Sequence, residues 1–418
     1  MVACRLFIYL FAVVFFTNIH IVKASSKITN NTQCIHLFSG NKADDAKLTE
    51  IIDTLFYVAL DHPKINTILQ VHLHDNLILI NDSKSVIFFN RQGKYLNSVP
   101  LLNGSMDIVG NTLYTFQFLD KVISAYDLKG NKLWSSRLNY QDETGYMGYY
   151  FSAVTPNLFA IANMNVGYNH YELLFFNKEG EIVSALKNRE PFLNEQVHTY
   201  NSTWRRLLFR GYDGIYYHPF FNDTVYFVQH TNLQPAIIEK LVKKVPLKHR
   251  LEYTGEPIND FHKYCLAEKK YATRFFETKK YIIVEYQIGS LKNSISNYFI
   301  YNKITKKLSC TQNDLLSLLT NSQRLHIGIF NDYDGGLAFQ PMHQTGDYLI
   351  MIDAGAGQGA KNSNPSELYR KGREIKDKLY KCTSGVWIKE KYKDAAESFF
   401  DKNKEDNSTI LTIVKLKR

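Results

Sequence analysis

Short apolar runs alternate with polar, turn-forming clusters through most of the chain. Leu77–Ile80, Val86–Phe89, Leu113–Phe116, Val122–Ala125, Leu158–Ala162 and Leu173–Phe176 have the length of strands and are too short for helices. Several runs end on one local signature, an aromatic residue followed by Asn or Asp, two residues, Gly, and a second apolar run. It reads Phe89-Asn90-Arg91-Gln92-Gly93-Lys94, then Tyr126-Asp127-Leu128-Lys129-Gly130-Asn131, then Phe176-Asn177-Lys178-Glu179-Gly180-Glu181. A looser copy is Tyr301-Asn302-Lys303-Ile304-Thr305-Lys306. The signature predicts a hairpin with glycine where the turn needs positive φ. Glycines 93, 130 and 180 are 37 and 50 residues apart, a spacing that fits a four-stranded propeller blade with loops of variable length.

Six such units are predicted. The first three carry the runs given above. The fourth holds Arg210-Gly211-Tyr212-Asp213-Gly214-Ile215-Tyr216-Tyr217-His218 and then Asp223-Thr224-Val225-Tyr226; the fifth holds Tyr281–Tyr286 and Tyr298–Tyr301; the sixth runs from Asn331-Asp332-Tyr333-Asp334-Gly335-Gly336 through Asp347–Ile352. The period then changes. Asn364-Pro365 suits a helix start, with Leu368, Ile375 and Leu379 following at helical spacing, and Tyr392, Ala395, Ala396, Phe399 and Phe400 mark a second helix face suited to packing on a sheet. A last strand, Ile410–Leu416, is expected to close the ring by completing an N-terminal blade, since closure removes bare sheet edges. The expectation is an all-β, six-bladed β-propeller over residues 48–418, with a helical insertion at about 364–404 and a closing strand at about 409–417.

The order of these motifs, with the run Asp53–Leu60 before them and Asp406–Lys417 after them, resembles the secreted six-bladed, NHL-like β-propeller proteins abundant in Bacteroides-type bacteria. Where that family has a Gly-Pro-Gly-Glu-Tyr step, this chain has Pro100-Leu101-Leu102-Asn103-Gly104. The resemblance implies architecture; the family has no defined function to pass on.

Residues 1–24 read as a signal peptide. Arg5 gives a basic start, Leu6–Phe16 is an unbroken apolar run, and Val22-Lys23-Ala24 places small residues for cleavage near Ala24. The run is too short to span a bilayer, no later segment reaches the required ~20 apolar residues, and Cys4 precedes the run instead of following it. A soluble periplasmic or extracellular protein without a lipid anchor is expected, with residues 25–47 as a polar lead segment.

The composition, 45% hydrophobic and 14% aromatic with 28 Tyr and 27 Phe, is that of a folded, strand-rich chain. Cys34, Cys265, Cys310 and Cys382 follow no framework spacing, so pairing stays open. The formal charge is +10. Its excess lies between Lys361 and Arg418, where it reads as a solvated face or as an attraction for acidic glycans or lipid headgroups. Nucleic acid does not suit a secreted chain.

The chemistry-bearing patterns are sparse. Gly355-Ala356-Gly357-Gln358-Gly359-Ala360 matches G-x-G-x-x-A formally but lacks a second βαβ half, so no cofactor is expected. Asp332 and Asp334 before Gly335 invite a calcium reading, yet Phe330 and Pro341 stand where an EF-hand needs ligands; no metal site is expected. His72 and His74 share a strand face. Arg210, Tyr212, Asp213, Tyr216, Asp332 and Asp334 combine charge or stacking faces with turn positions and are the expected ligand-binding residues, while no nucleophile motif identifies catalytic residues. The reading is a secreted, non-catalytic binding module for a glycan, peptide or envelope protein. The alternative is a propeller hydrolase, lactonase or lyase with an axial metal.

Overall fold

The structure, a computed structural model, describes residues 20–21, 32–35, 44–62, 65–140, 150–163, 170–188, 197–199, 207–219, 222–239, 251–253, 270–288, 295–311, 328–329, 331–335, 338–353, 390–403 and 409–418. Six antiparallel blades form a ring. Blade 1 is Gln70–His74, Leu77–Asn81, Ser85–Asn90 and Tyr95–Pro100, from axis to rim. Blade 2 begins at Gly104–Val109 and ends at Lys132–Arg137; blade 3 begins at Tyr150–Thr155 and ends at Ile182–Lys187. Blade 4 runs from Leu208–Arg210 to Asn232–Glu239, and blade 5 from Lys270–Glu277 to Leu308–Cys310. Blade 6 is His343–Thr345, Tyr348–Asp353, Ile410–Leu416 and Ile52–Ala59.

The recurring signature is the turn between the third and fourth strands of a blade. The Asn90 side chain accepts hydrogen bonds from the backbone of Gln92 (3.0 Å) and Lys94 (2.9 Å), and Gly93 takes a φ of 84°. Asp127 with Gly130 and Asn177 with Gly180 repeat this arrangement. The looser copy reaches positive φ at Lys306 instead. A second constraint fixes two of the glycines. A Cβ on Gly93 would meet the Ala59 carbonyl oxygen at 1.9 Å, and one on Gly180 would meet that of Arg137 at 2.2 Å. Each turn therefore rests on the rim strand of the preceding blade, and Asp61 and Asn139 donate backbone hydrogen bonds to Gly93 and Gly180. The repeat is thus a blade-to-blade joint as well as a hairpin.

Alternation along the strands sends apolar residues to both faces of each blade, so the core lies between blades. Ile78, Ile87 and Ile413 pack blade 1 on blade 6, and Leu79, Phe88 and Leu113 pack blade 1 on blade 2. Successive interfaces continue to Ile283, Ile300 and Val414 between blades 5 and 6. Closure uses both ends of the chain, in an order the sequence pattern did not give. Ile410–Leu416 pairs with Tyr348–Asp353 on one side and Ile52–Ala59 on the other, so an N-terminal strand completes the last blade instead of a C-terminal strand completing an early one.

The lead segment also takes part. Gln33–Ile35 pairs in parallel with the rim strand of blade 4 and Asp44–Asp45 with that of blade 5. His20–Ile21, inside the expected leader, pairs with the rim of blade 3. Helix Glu390–Lys402 covers blade 6: Ala396 and Phe400 are buried, and Phe399 stacks on Tyr57 at 5.6 Å. Ala395 faces solvent. The expected helix from Asn364, the Gly355–Ala360 loop, Arg205, Arg206, Cys265 and Cys382 lie outside the described residues. Cys34 is exposed and Cys310 half-buried, and they do not pair with each other.

Candidate functional site

Each blade's innermost strand runs along the ring axis, from an entry end where the chain arrives from the previous blade to a turn end where it doubles back. Side chains from all six converge on a narrow axial cavity of about 40 Å³. Gln70 and His72 come from blade 1, Asp107 from blade 2, Ser152 from blade 3, Arg210 from blade 4, Arg274 from blade 5 and Gln344 from blade 6; Met106, Phe151 and Met342 add apolar wall. Gln70, Phe151 and Met342 stand at or next to the start of their strands, while Arg210 ends its strand and Phe276 is next to last in its own, so the cavity runs along the axis from the entry end toward the turn end.

The wall is held by polar links from blade to blade. Gln70 accepts from the backbone of Met106 at 2.7 Å. Asp107 accepts from the Ala153 backbone at 3.0 Å and takes a two-pronged contact from Arg210, Nε to Oδ1 at 3.0 Å and Nη2 to Oδ2 at 2.7 Å. Arg210 also donates to the Ala153 carbonyl at 2.7 Å, so one ion pair ties blades 2, 3 and 4. Within blade 5, Arg274 faces Glu285 at 3.3 Å. Gln344 bridges to the Glu277 backbone, accepting from its N–H at 3.1 Å and donating to its carbonyl. Thr345 accepts from the Leu73 backbone at 3.1 Å, linking blade 6 to blade 1.

Electrostatics follow from burial and pairing. Burial pushes the Asp107 carboxyl up, but Arg210, with His72 in support, outweighs it and holds the group below the usual carboxylate range. Burial likewise lowers the Arg210 guanidinium, and Asp107 more than restores it. Glu277 lies above the usual range because burial outweighs its pairing with Lys303. Burial, with Glu277 and Asp213 nearby, raises the Tyr216 phenol.

Of the residues expected to bind ligand, Arg210 lines the cavity. Tyr212 and Asp213 follow it in the exposed turn that ends the strand, where Glu277 accepts from the Tyr212 backbone at 2.8 Å. Tyr216 is buried between blades 4 and 5, stacked on Phe209 at 5.4 Å, whereas Tyr217 points into the interface between blades 3 and 4. Asp332 accepts from the Thr49 backbone at 2.8 Å and from its hydroxyl, and Asp334 accepts from the Tyr57 hydroxyl at 2.6 Å. Both carboxylates are buried, and neither borders the cavity. His72 faces the cavity, while His74 contacts Asn111 at 3.3 Å near the turn end. Among the described residues no group of three or more His, Cys, Asp or Glu is placed to hold a metal ion.

The cavity residues not singled out from the sequence are Gln70, Asp107, Ser152, Arg274 and Gln344. For Asp107 the signal was a charged residue inside a short strand with apolar neighbours, Met106-Asp107-Ile108-Val109. Such a position needs a partner when buried.

Comparison with known proteins agrees with the architecture. The model of a domain of unknown function, DUF4934, matches residues 32–381. A Bacteroides fragilis protein described as exported is similar over 93% of this chain and 99% of its own, with 14% identity and a TM-score of 0.58. A Bacteroides vulgatus member of the duf4221 family (11% identity, 64% and 86% coverage, TM-score 0.42) and a Bacteroides caccae protein of unknown function (9%, 60% and 82%, 0.35) are more distant. Among curated proteins none matches.

Proposed function

From the premise that this chain belongs to the DUF4934 family of domains of unknown function, we propose that it is an extracytoplasmic binding module. In this reading it is non-catalytic and holds a glycan, peptide or protein partner of the cell envelope at the entry end of its axis. One observation carries the reading. The entry end, where the axial cavity begins at Gln70, also exposes leucines: Leu69 (40% exposed), just before Gln70, Leu102 (49%) between blades 1 and 2, and Leu119 (74%) between the middle strands of blade 2. Exposed apolar side chains on the blade 1 and 2 side of a polar recess are what a partner surface offers. A cavity of about 40 Å³ suits a side chain or a terminal group better than a whole sugar ring, so the leucine rim supplies most of the contact.

The extracytoplasmic setting rests on the leader-like first 24 residues; the similar Bacteroides fragilis protein is described as exported. Among the described residues no helix is long and apolar enough to cross a membrane. The alternative, a hydrolase, lactonase or lyase with an axial metal, would draw on His72 and Asp107, but both Asp107 oxygens already serve Arg210. Glycan and peptide arrays probed with the mature protein, together with metal analysis of the same preparation, test the reading. A ligand retained by metal-free protein supports it; stoichiometric metal with turnover of an array compound overturns it.

A further inference from the structure

The turn end of blades 5 and 6 has a different character. The chain connecting the last two strands of blade 5 reads Lys303-Ile304-Thr305-Lys306-Lys307, and Ile304 at its tip is 68% exposed. Beside it lies the inner turn of the same blade, Thr278-Lys279-Lys280, joined by the Lys303 backbone N–H donating to the Lys280 carbonyl at 2.8 Å. The Lys279 backbone reaches Asp347 at 3.4 Å, and the chain end, Lys417-Arg418, completes the cluster. Two of the carboxylates here are already engaged, Glu277 by Lys303 and Asp347 by Arg418 at 2.9 Å. Lys279, Lys280, Lys306, Lys307 and Lys417 stand in this cluster, with Asp213 and Glu50 in adjoining turns and the Asp44–Asp45 strand along the rim. The Lys417 ammonium donates to the Thr49 carbonyl at 2.7 Å, and Lys306 reaches the Gln33 side chain at 3.2 Å; neither contact neutralises it.

We propose that this face is a docking surface for a lipid bilayer bearing anionic, phosphate-containing headgroups, with the lysines meeting phosphates and Ile304 entering the interface. Charge complementarity selects the anionic surface. The apolar tip selects a bilayer over a soluble polyanion, because a polysaccharide gains nothing from an exposed aliphatic side chain, whereas an interface rewards its burial. The surface lies at the opposite end of the axis from the leucine rim, so docking would leave that end free, and the proposal stands without the binding role proposed above.

The test is flotation of the full mature chain with vesicles of phosphatidylglycerol and phosphatidylcholine, against vesicles of phosphatidylcholine alone. Binding is expected to the anionic vesicles and to fall steeply as salt rises. Each lysine removed should weaken it about five-fold, so Lys306→Gln with Lys307→Gln should lose about 25-fold. Ile304→Ser should also weaken it, while Lys187→Gln at the entry end should change nothing. Thermal melting shows that each variant is folded. Equal partition to neutral vesicles, no loss in the lysine and Ile304 variants, or tight binding to a sulfated polysaccharide that is indifferent to Ile304→Ser with no vesicle binding would each overturn the assignment.

Discussion

Arg210→Met leaves the Asp107 carboxylate, 2% exposed, on the axis without its guanidinium. Two backbone amides, those of Ile108 at 2.8 Å and Ala153 at 3.0 Å, still point at it, but the countercharge is gone. Removing one partner of a buried pair costs about 3–5 kcal/mol; a quarter of the Arg210 side chain is exposed, so the lower end applies, about 3 kcal/mol. For a chain of 418 residues the unfolding entropy is about 0.9 kcal/mol/K. The expected drop in Tm by differential scanning calorimetry is therefore about 3 °C, provided the ring melts as one unit. The double variant Asp107→Asn with Arg210→Met removes the stranded charge and should recover at least half of the loss, a coupling that a double-mutant cycle reads directly. The acid limb offers a second readout. The folded Asp107 carboxyl lies below its unfolded value, so its contribution is present above about pH 4 and is lost as pH falls through the folded value. Asp107→Asn should flatten that limb. A single variant that melts with wild type, or a double variant worse than the sum of the singles, would refute the reasoning.

Three further outcomes are expected. Gly93→Ala should cost at least about 2 kcal/mol, since its Cβ meets the Ala59 carbonyl and φ is 84°, whereas Gly110→Ala, at φ 56° in open space, should cost only about 1 kcal/mol; urea titration compares the two. Deleting Thr409–Arg418 strips the strand between Tyr348–Asp353 and Ile52–Ala59 and should abolish the cooperative transition, which a truncated chain with the wild-type Tm would contradict. Asp332→Ala leaves the Thr49 amide and hydroxyl without their acceptor and should lower stability by about 1–3 kcal/mol; unchanged urea stability would count against its role as a fastener.

What the sequence made legible was local. The turns at Asn90, Asp127 and Asn177 could be read because an Asx side chain and a positive-φ glycine specify the hairpin within six residues. The face of Ala396, Phe399 and Phe400 followed from helical spacing. What stayed hidden spans the ring. Arg210 finds Asp107 across 103 residues, and Asp332 finds Thr49 across 283; no spacing rule links such partners, so an aspartate that fastens a turn to a distant helical turn looks the same as one that faces a ligand. Alternation separates Tyr216 from Tyr217 but does not say which interface each enters. Gln33–Ile35 and Asp44–Asp45 are too short to show a period, so their edge pairing with blades 4 and 5 left no trace in the pattern.

Whether partners are held at the entry end, as proposed, is decided by titrating one array-identified ligand into three proteins: wild type, Leu102→Asp with Leu119→Asp, and Ile304→Ser as the turn-end control. All substituted residues are exposed, so all three should melt alike. At least a ten-fold loss of affinity is expected in the leucine variant and none in the control; full affinity in the leucine variant, or a loss confined to Ile304→Ser, would overturn the entry-end site.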